Sequence, residues 1–132
     1  MKELYFIAGL PRSGSTMLAS ILHQNPQVHS EAVSGLHPVF SSVHANWNEV
    51  ASNNENPNPQ ARMGVLNGIL RGYYNHIDRP IVIDKDRGWI SNIGLVEAVT
   101  GKRSKIICMV RNPAEILASF EKIRKSNPMD FV

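Results

Sequence analysis

An eight-residue segment, Gly9-Leu10-Pro11-Arg12-Ser13-Gly14-Ser15-Thr16, constrains the fold of this chain more than any other feature of the sequence. Its spacing, G-x-x-x-x-G-S-T, is that of a phosphate-binding loop in which Ser15 replaces the usual lysine. The glycines allow backbone N–H groups to point inward around an anion, and the helix that follows adds partial positive charge. Arg12 brings a fixed charge to the same point, so the segment favours an anion-binding loop over a tight turn capped by Ser13 or Ser15.

Around this loop, short apolar runs alternate with amphipathic stretches. Residues 4–8, 81–83 and 106–110 predict buried strands, and Val28-His29 is a candidate for a fourth. Helical spacing of apolar residues predicts helices after the loop, over residues 60–76 and 89–100, and after Asn112. This alternation is typical of an α/β protein, and we expect a three-layer fold like that of P-loop NTPases, with a parallel sheet flanked by helices.

Residues 46–60 have the most biased composition, with six asparagines and two prolines. Both residue types oppose regular helix and strand, so this segment predicts a long surface loop. No repeat or domain boundary interrupts the 132 residues, and this length suits one domain.

The composition excludes several classes of protein. A formal charge of +3 is too small to indicate nucleic-acid binding by itself, although it is compatible with an anionic ligand. No apolar run approaches the length of a membrane span, and the N-terminus lacks a signal peptide's apolar stretch. Cys108 is the single cysteine, which rules out an internal disulfide and fits a cytoplasmic protein. Its place within a predicted buried strand predicts an inert core residue.

A second motif follows the last predicted strand. Arg111 lies at the strand's carboxyl end, where ligand sites form in α/β proteins. Asn112 and Glu115 predict the cap and the capping-box acid of the next helix, with Pro113 in its first turn. Ser119 lies two turns into that helix, and its side chain tilts back toward the helix N-terminus. Arg111 and Ser119 can therefore clamp a second phosphate. The alternative is that Arg111 pairs with an acidic residue at the surface and that Ser119 is a neutral helix residue.

Taken together, GLPRSGSTML and CMVRNPAEILASFEK resemble the sulfotransferases that use 3′-phosphoadenosine-5′-phosphosulfate (PAPS). The resemblance implies that the first loop holds the 5′-phosphosulfate, through Pro11, Arg12, Ser13, Gly14, Ser15 and Thr16. It implies that Arg111 and Ser119 hold the 3′-phosphate. Residues 83–89 also resemble a strand-end stretch of bacterial and protein-tyrosine members, and that family works without an obligatory metal.

The same resemblance assigns three catalytic residues. Arg12 is expected to stabilise charge on the leaving phosphate, and Lys85 is expected to contact the sulfuryl group. Glu31 corresponds to the general base of protein-tyrosine and heparan-type members, whereas cytosolic members use a histidine, for which His29 or His37 are the alternatives. The acceptor, a hydroxyl or an amine, has no signature in the sequence.

Members of this family are generally longer, and this chain stops at Val132, shortly after the second motif. We therefore expect residues 1–132 to form a single, partial domain, truncated to the N-terminal cofactor-binding half. An exposed strand edge or apolar face is expected where a C-terminal half or another copy of the chain would pack.

Two other functions remain open from the sequence. One is a P-loop kinase or NTPase that uses Mg-ATP, with Asp84 and Thr16 as magnesium ligands. Against it, Ser15 replaces the lysine that reaches the β- and γ-phosphates. The other is a non-catalytic anion-binding fragment, for which the short length is the main argument.

Overall fold

A computed structural model describes residues 2–127 of the chain, which form an α/β fold. Its strands are β1 (Glu3–Gly9), β2 (Val28–Ser30), β3 (Ile81–Lys85) and β4 (Ile106–Met109). Its helices are α1 (Ser15–His23), α2 (Leu36–Ala45), α3 (Ala51–Glu55), α4 (Pro59–Gly72), α5 (Trp89–Thr100) and α6 (Pro113–Ser126). None of the helices within these residues is long and apolar enough to cross a membrane.

The four strands form one sheet in the order β2-β3-β1-β4, and every neighbouring pair is parallel. Helical connections separate each strand from the next, as parallel pairing requires. The predicted α/β class, the parallel sheet and the candidate fourth strand at Val28-His29 are therefore confirmed. All strands end at the same edge of the sheet, which places the segments that follow them side by side.

Helices cover both faces of this sheet. On one face, α2, α4 and α5 close the larger core around Phe6, Leu36, Phe40, Leu66 and Trp89. On the other face, α1 lays Ala19 against Ile7, Val28 and Ile83. Because β1 and β3 alternate apolar residues toward both faces, they are buried on both sides. This layering holds the carboxyl ends of β1 and β3 in fixed positions.

The prediction of a loop over residues 46–60 is wrong for most of that segment. A 3-10 turn at Trp47–Glu49 and the short helix α3 occupy it, although its residues are largely exposed. Asparagine side chains stabilise these turns: Asn53 Nδ2 donates to the carbonyl of Trp47 at 3.1 Å, and Asn58 Oδ1 accepts from the Ala61 N–H at 3.0 Å. Asparagine favours helix ends because its side chain replaces missing backbone partners, so a run of asparagines also suits short capped helices.

Strand β4 lies at one edge of the described sheet. Ile107 is 45% exposed and Cys108 is exposed, so the predictions of a buried strand and of a core cysteine are wrong. Within residues 2–127 no strand pairs with the outer side of β4, so its side chains reach the surface. An exposed strand edge is thus present, as the sequence predicted. Residues 128–132 lie outside the described residues.

Candidate functional site

The predicted anion-binding loop connects β1 to α1 directly, and its glycines adopt conformations that other residues avoid. Gly14 has φ of 96° and Gly9 has φ of 155°. A Cβ atom on Gly9 would lie 2.8 Å from the carbonyl oxygen of Met109 and 2.9 Å from Ser13 Oγ. Strand β4 therefore packs against the loop so closely that only glycine fits at this position.

Arg12 also has a positive φ, 64°, which is uncommon for a residue with a side chain. Contacts from the second motif hold it in this conformation. Arg12 Nε donates a hydrogen bond to Ser119 Oγ at 2.9 Å, and Arg111 Nη1 donates to the Arg12 carbonyl at 2.9 Å. The loop after β1 and the segment after β4 thus meet at Arg12.

This arrangement differs from the predicted clamp in which Ser119 leans toward Arg111. The Ser119 hydroxyl bonds to Arg12, and Arg111 Nε instead contacts the Glu115 carboxylate at 3.3 Å. The expected capping-box role of Glu115 is therefore wrong, whereas Asn112 caps α6 by accepting from the Ala114 N–H at 2.9 Å. An exposed pair such as Arg111–Glu115 is weak, so Arg111 can exchange it for a phosphate.

A cleft of about 560 Å³ opens beside the loop at the carboxyl ends of β1 and β3. Its walls come from the loop, from residues 32–34 and from residues 85–87. Pro11, Arg12, Ser15 and Thr16 line it, together with Lys85. Next to it, the Ser13 side chain is 6% exposed and its hydroxyl has no hydrogen-bond partner among the described residues. A glycine-rich turn with the hydroxyl residues Ser15 and Thr16, beside the cations Arg12, Lys85 and Arg87, fits an anionic phosphate or phosphosulfate group.

Lys85 is the last residue of β3, and its ammonium group lies at this cleft. Lys85 Nζ donates to the carbonyl oxygen of Ala32 at 2.9 Å. An ammonium group has three donors, so this bond leaves two for a ligand. The predicted strand-end lysine is therefore brought to the same cleft as the loop.

Asp84 lies on the opposite face of β3, where it is 1% exposed. Trp89 Nε1 donates to its Oδ1 at 2.7 Å, and the hydroxyls of Ser34 and Tyr74 both donate to its Oδ2. Burial, followed by the charge of Asp84, raises the pKa of Tyr74 above its usual range, so Tyr74 stays a donor. The carboxylate that would bind magnesium in the kinase reading is thus directed into the core, away from the cleft. Within residues 2–127 no group of three His, Cys, Asp or Glu side chains could hold a metal ion.

Glu31 directly precedes the wall formed by residues 32–34, and its side chain is 53% exposed. Its Oε1 lies 3.4 Å from Nε2 of the buried His29, without the geometry of a hydrogen bond. Burial lowers the pKa of His29 despite the opposing charge of Glu31, so the imidazole is neutral at neutral pH. The Glu31 carboxylate is therefore accessible, and it is adjacent in sequence to the cleft wall.

His37, the other histidine alternative for the general base, does not line the cleft. Its Nδ1 lies 3.2 Å from Asp86 Oδ1, its Nε2 lies 2.8 Å from Asn92 Oδ1, and its ring packs edge-on against Trp89. Asp86 itself lines the cleft and accepts from the Gly88 N–H at 2.7 Å. Both ring nitrogens therefore lie against polar partners, Asp86 and Asn92.

Sequence reasoning missed Asp86 and Ser34 as residues of this site. The acidic and basic alternation of residues 84–87 was the available signal for Asp86, whereas nothing local marked Ser34. Both residues neighbour helix α2, which was not predicted from the sequence. His37 of α2 contacts Asp86, and Ser34 lies in the segment just before this helix.

Comparison with known proteins agrees with this geometry. A search of curated proteins returned no match. The model described as the sulfotransferase family matches residues 5–131, which is nearly the whole chain and includes both motifs. On this match the chain belongs to the sulfotransferase family.

Proposed function

We propose that this chain binds PAPS in the cleft beside the Gly9–Thr16 loop and transfers its sulfuryl group to a hydroxyl or amine acceptor. The observation that carries the proposal is the convergence of Arg12 and Lys85 on one cleft at the carboxyl edge of the sheet, beside the Gly9–Thr16 loop. Membership in the sulfotransferase family supports sulfuryl transfer as the reaction class.

In this proposal the loop holds the 5′-phosphosulfate. The N–H groups around Gly14, the hydroxyls of Ser13, Ser15 and Thr16, and the Arg12 guanidinium are its donors. Bound PAPS supplies an activated sulfuryl group on a phosphate leaving group. Arg12 stabilises the charge that develops on the departing phosphate oxygen, and Lys85 stabilises the charge on the sulfuryl oxygens.

Arg111 and Ser119 are proposed to hold the 3′-phosphate. Arg111 releases its exposed contact with Glu115, and its guanidinium offers a planar pair of donors to phosphate oxygens. Ser119 contributes through its hydroxyl while it continues to orient Arg12. Ser119 therefore links the proposed 3′-phosphate site to Arg12 at the proposed 5′-phosphosulfate site.

Glu31 is proposed as the general base that takes the proton from the acceptor oxygen or nitrogen as the bond to sulfur forms. Its carboxylate is exposed and precedes the cleft wall, whereas His29 is buried and His37 is engaged on both ring nitrogens. Among the candidates that the sequence offers, Glu31 is the one whose side chain is free to meet an acceptor.

The other two functions have less support. For a kinase, the Asp84 carboxylate already accepts from three side-chain donors, so its use for magnesium requires that this network break. A non-catalytic anion-binding fragment would use the same loop and cations, and no lining residue of the cleft favours it over sulfuryl transfer.

Isothermal titration calorimetry with adenosine 3′,5′-bisphosphate, and separately with ATP plus Mg²⁺, tests the proposal. We expect tight binding of the bisphosphate that does not change when EDTA is added. Preference for ATP that depends on Mg²⁺ would refute PAPS as the donor. Good binding of the bisphosphate without transfer of the radiolabelled sulfuryl group from PAPS to hydroxyl or amine acceptors would favour the anion-binding fragment instead.

A further inference from the structure

Three side chains hold the wall of the cleft opposite the loop. Residues 32–35 belong to no helix or strand, and residues 32–34 line the cleft. The Ala32 carbonyl accepts from Lys85, the Ser34 hydroxyl donates to Asp84, and the Gly35 N–H donates to the Tyr73 hydroxyl at 2.7 Å. Without regular backbone pairing, the conformation of this wall depends on these bonds.

Asp84 is the most rigid of these anchors. Its carboxylate is buried in the larger core, where the Trp89 indole and the Tyr74 hydroxyl hold it from elements on that side of the sheet. Ser34 is the one of its three donors that comes from the cleft wall. The bond between Asp84 and Ser34 therefore connects the wall to a fixed point in the core.

The same wall determines where the Lys85 ammonium group lies. Lys85 has a long, flexible side chain, and the Ala32 carbonyl is the acceptor that holds its Nζ, at 2.9 Å. Ala32 is two residues from Ser34, so a wall that moves at Ser34 carries this carbonyl with it. A shift of about 1 Å at a catalytic group is enough to lower a rate by up to roughly 100-fold.

We propose that Asp84 is a positioning residue: through Ser34 it fixes the Ala32 carbonyl and thereby holds the Lys85 ammonium group at the sulfuryl end of the cleft. The role given to Lys85 rests on the proposed function. A buried carboxylate is costly compared with an apolar residue of similar volume, so core stability alone does not account for it.

Two single substitutions separate this role from a purely structural one. Ser34→Ala and Tyr74→Phe each remove one hydroxyl donor from the same oxygen of Asp84, but only Ser34 belongs to the wall. The affinities for PAPS and for adenosine 3′,5′-bisphosphate are measured by calorimetry in both variants, in the wild type and in Lys85→Ala. These two ligands differ by the sulfuryl group, so their affinity ratio reports the contact from Lys85.

We expect Ser34→Ala to change the PAPS-to-bisphosphate affinity ratio about threefold to tenfold, in the direction of Lys85→Ala, while the bisphosphate affinity stays within about twofold. Tyr74→Phe should keep the wild-type ratio even if it lowers the melting temperature. An unchanged ratio in Ser34→Ala, or equal changes in both variants, would overturn the proposal.

Hydrogen exchange of the backbone N–H groups of residues 32–35, measured without ligand, distinguishes the two proposals. Faster exchange in Ser34→Ala than in Tyr74→Phe supports the anchoring of the wall by Asp84, and equal exchange refutes it. If the wild type binds neither nucleotide, the proposed function fails, and the exchange result still decides whether Asp84 holds the wall.

Discussion

Arg12 Nε and Ser119 Oγ are joined by a hydrogen bond of 2.9 Å although 107 positions separate the two residues. This bond connects the loop after β1 to the helix after β4, which are neighbours in the sheet. It places the two halves of the proposed nucleotide site in contact.

Arg111→Ala should weaken ligands that carry a 3′-phosphate. Loss of a charged hydrogen-bond donor to phosphate costs about 1.5–3 kcal/mol, or roughly tenfold to 100-fold in affinity. Adenosine 5′-phosphosulfate, which lacks the 3′-phosphate, should lose much less, and calorimetry with both ligands measures the difference. Arg124→Ala is the control, because Arg124 is an arginine in the last turn of α6, the helix that follows Arg111, and pairs with Glu121. Equal losses for the two ligands would contradict the role given to Arg111.

Gly9→Ala should disrupt the loop. The added Cβ would meet the Met109 carbonyl at 2.8 Å, and backbone atoms cannot easily move away, so we expect a loss of about 2 kcal/mol or more. Urea denaturation followed by circular dichroism measures this change, and bisphosphate affinity should fall with it. Gly64→Ala is the matched control: its Cβ meets nothing within 4 Å in α4, and the substitution should stabilise the protein by about 0.5–1 kcal/mol. Similar effects of the two substitutions would show that the loop tolerates a side chain.

The free energy of unfolding should fall as the pH drops below 6.5, the ordinary pKa of histidine. Burial lowers the pKa of His29, and burial together with Arg62 lowers that of His44, so the unfolded chain binds more protons than the folded one in this range. His29→Gln should flatten the dependence of the urea midpoint on pH between about pH 7.5 and pH 5. The same slope in His29→Gln and the wild type would show that His29 does not titrate differently on folding.

Cys108 should react in the native protein. Because β4 is at the edge of the described sheet and Cys108 is exposed, a thiol reagent should modify one group per chain without denaturant. Absorbance of the released thiolate from Ellman's reagent measures this reaction, and Cys108→Ser gives the blank. A reaction that proceeds only in denaturant would mean that another surface covers the edge of β4.

Much of the fold follows from local patterns in the sequence. The apolar runs and the Gly/Ser loop identify β1, the turn that follows it and α1, and Gly101 ends α5 at Thr100 as predicted. The cap at Asn112 is likewise local, since its partner is the N–H of Ala114. Each of these depends on residues within a few positions, so sequence spacing is enough to predict them.

Other features were predicted wrongly or missed because neighbours distant in sequence decide them. Residues 106–110 are apolar in the same way as residues 4–8, but β4 is at the sheet edge and β1 is in its interior. Helix α2 mixes polar and apolar residues and is helical where it packs over Phe6 and Trp89. An apolar run has the same pattern whether or not another strand pairs with it.

The sequence by itself determined the α/β class, the Gly/Ser loop between β1 and α1, and the choice of Arg12, Lys85 and Arg111 as the candidate site cations. Only the tertiary structure decided that Ser119 bonds to Arg12, that Asp84 is directed into the core and that Ala32 holds Lys85. The physical reason is that glycine conformations, caps and helical periodicity act within a few residues, whereas the partner of a side chain is set by which strands are neighbours in the sheet.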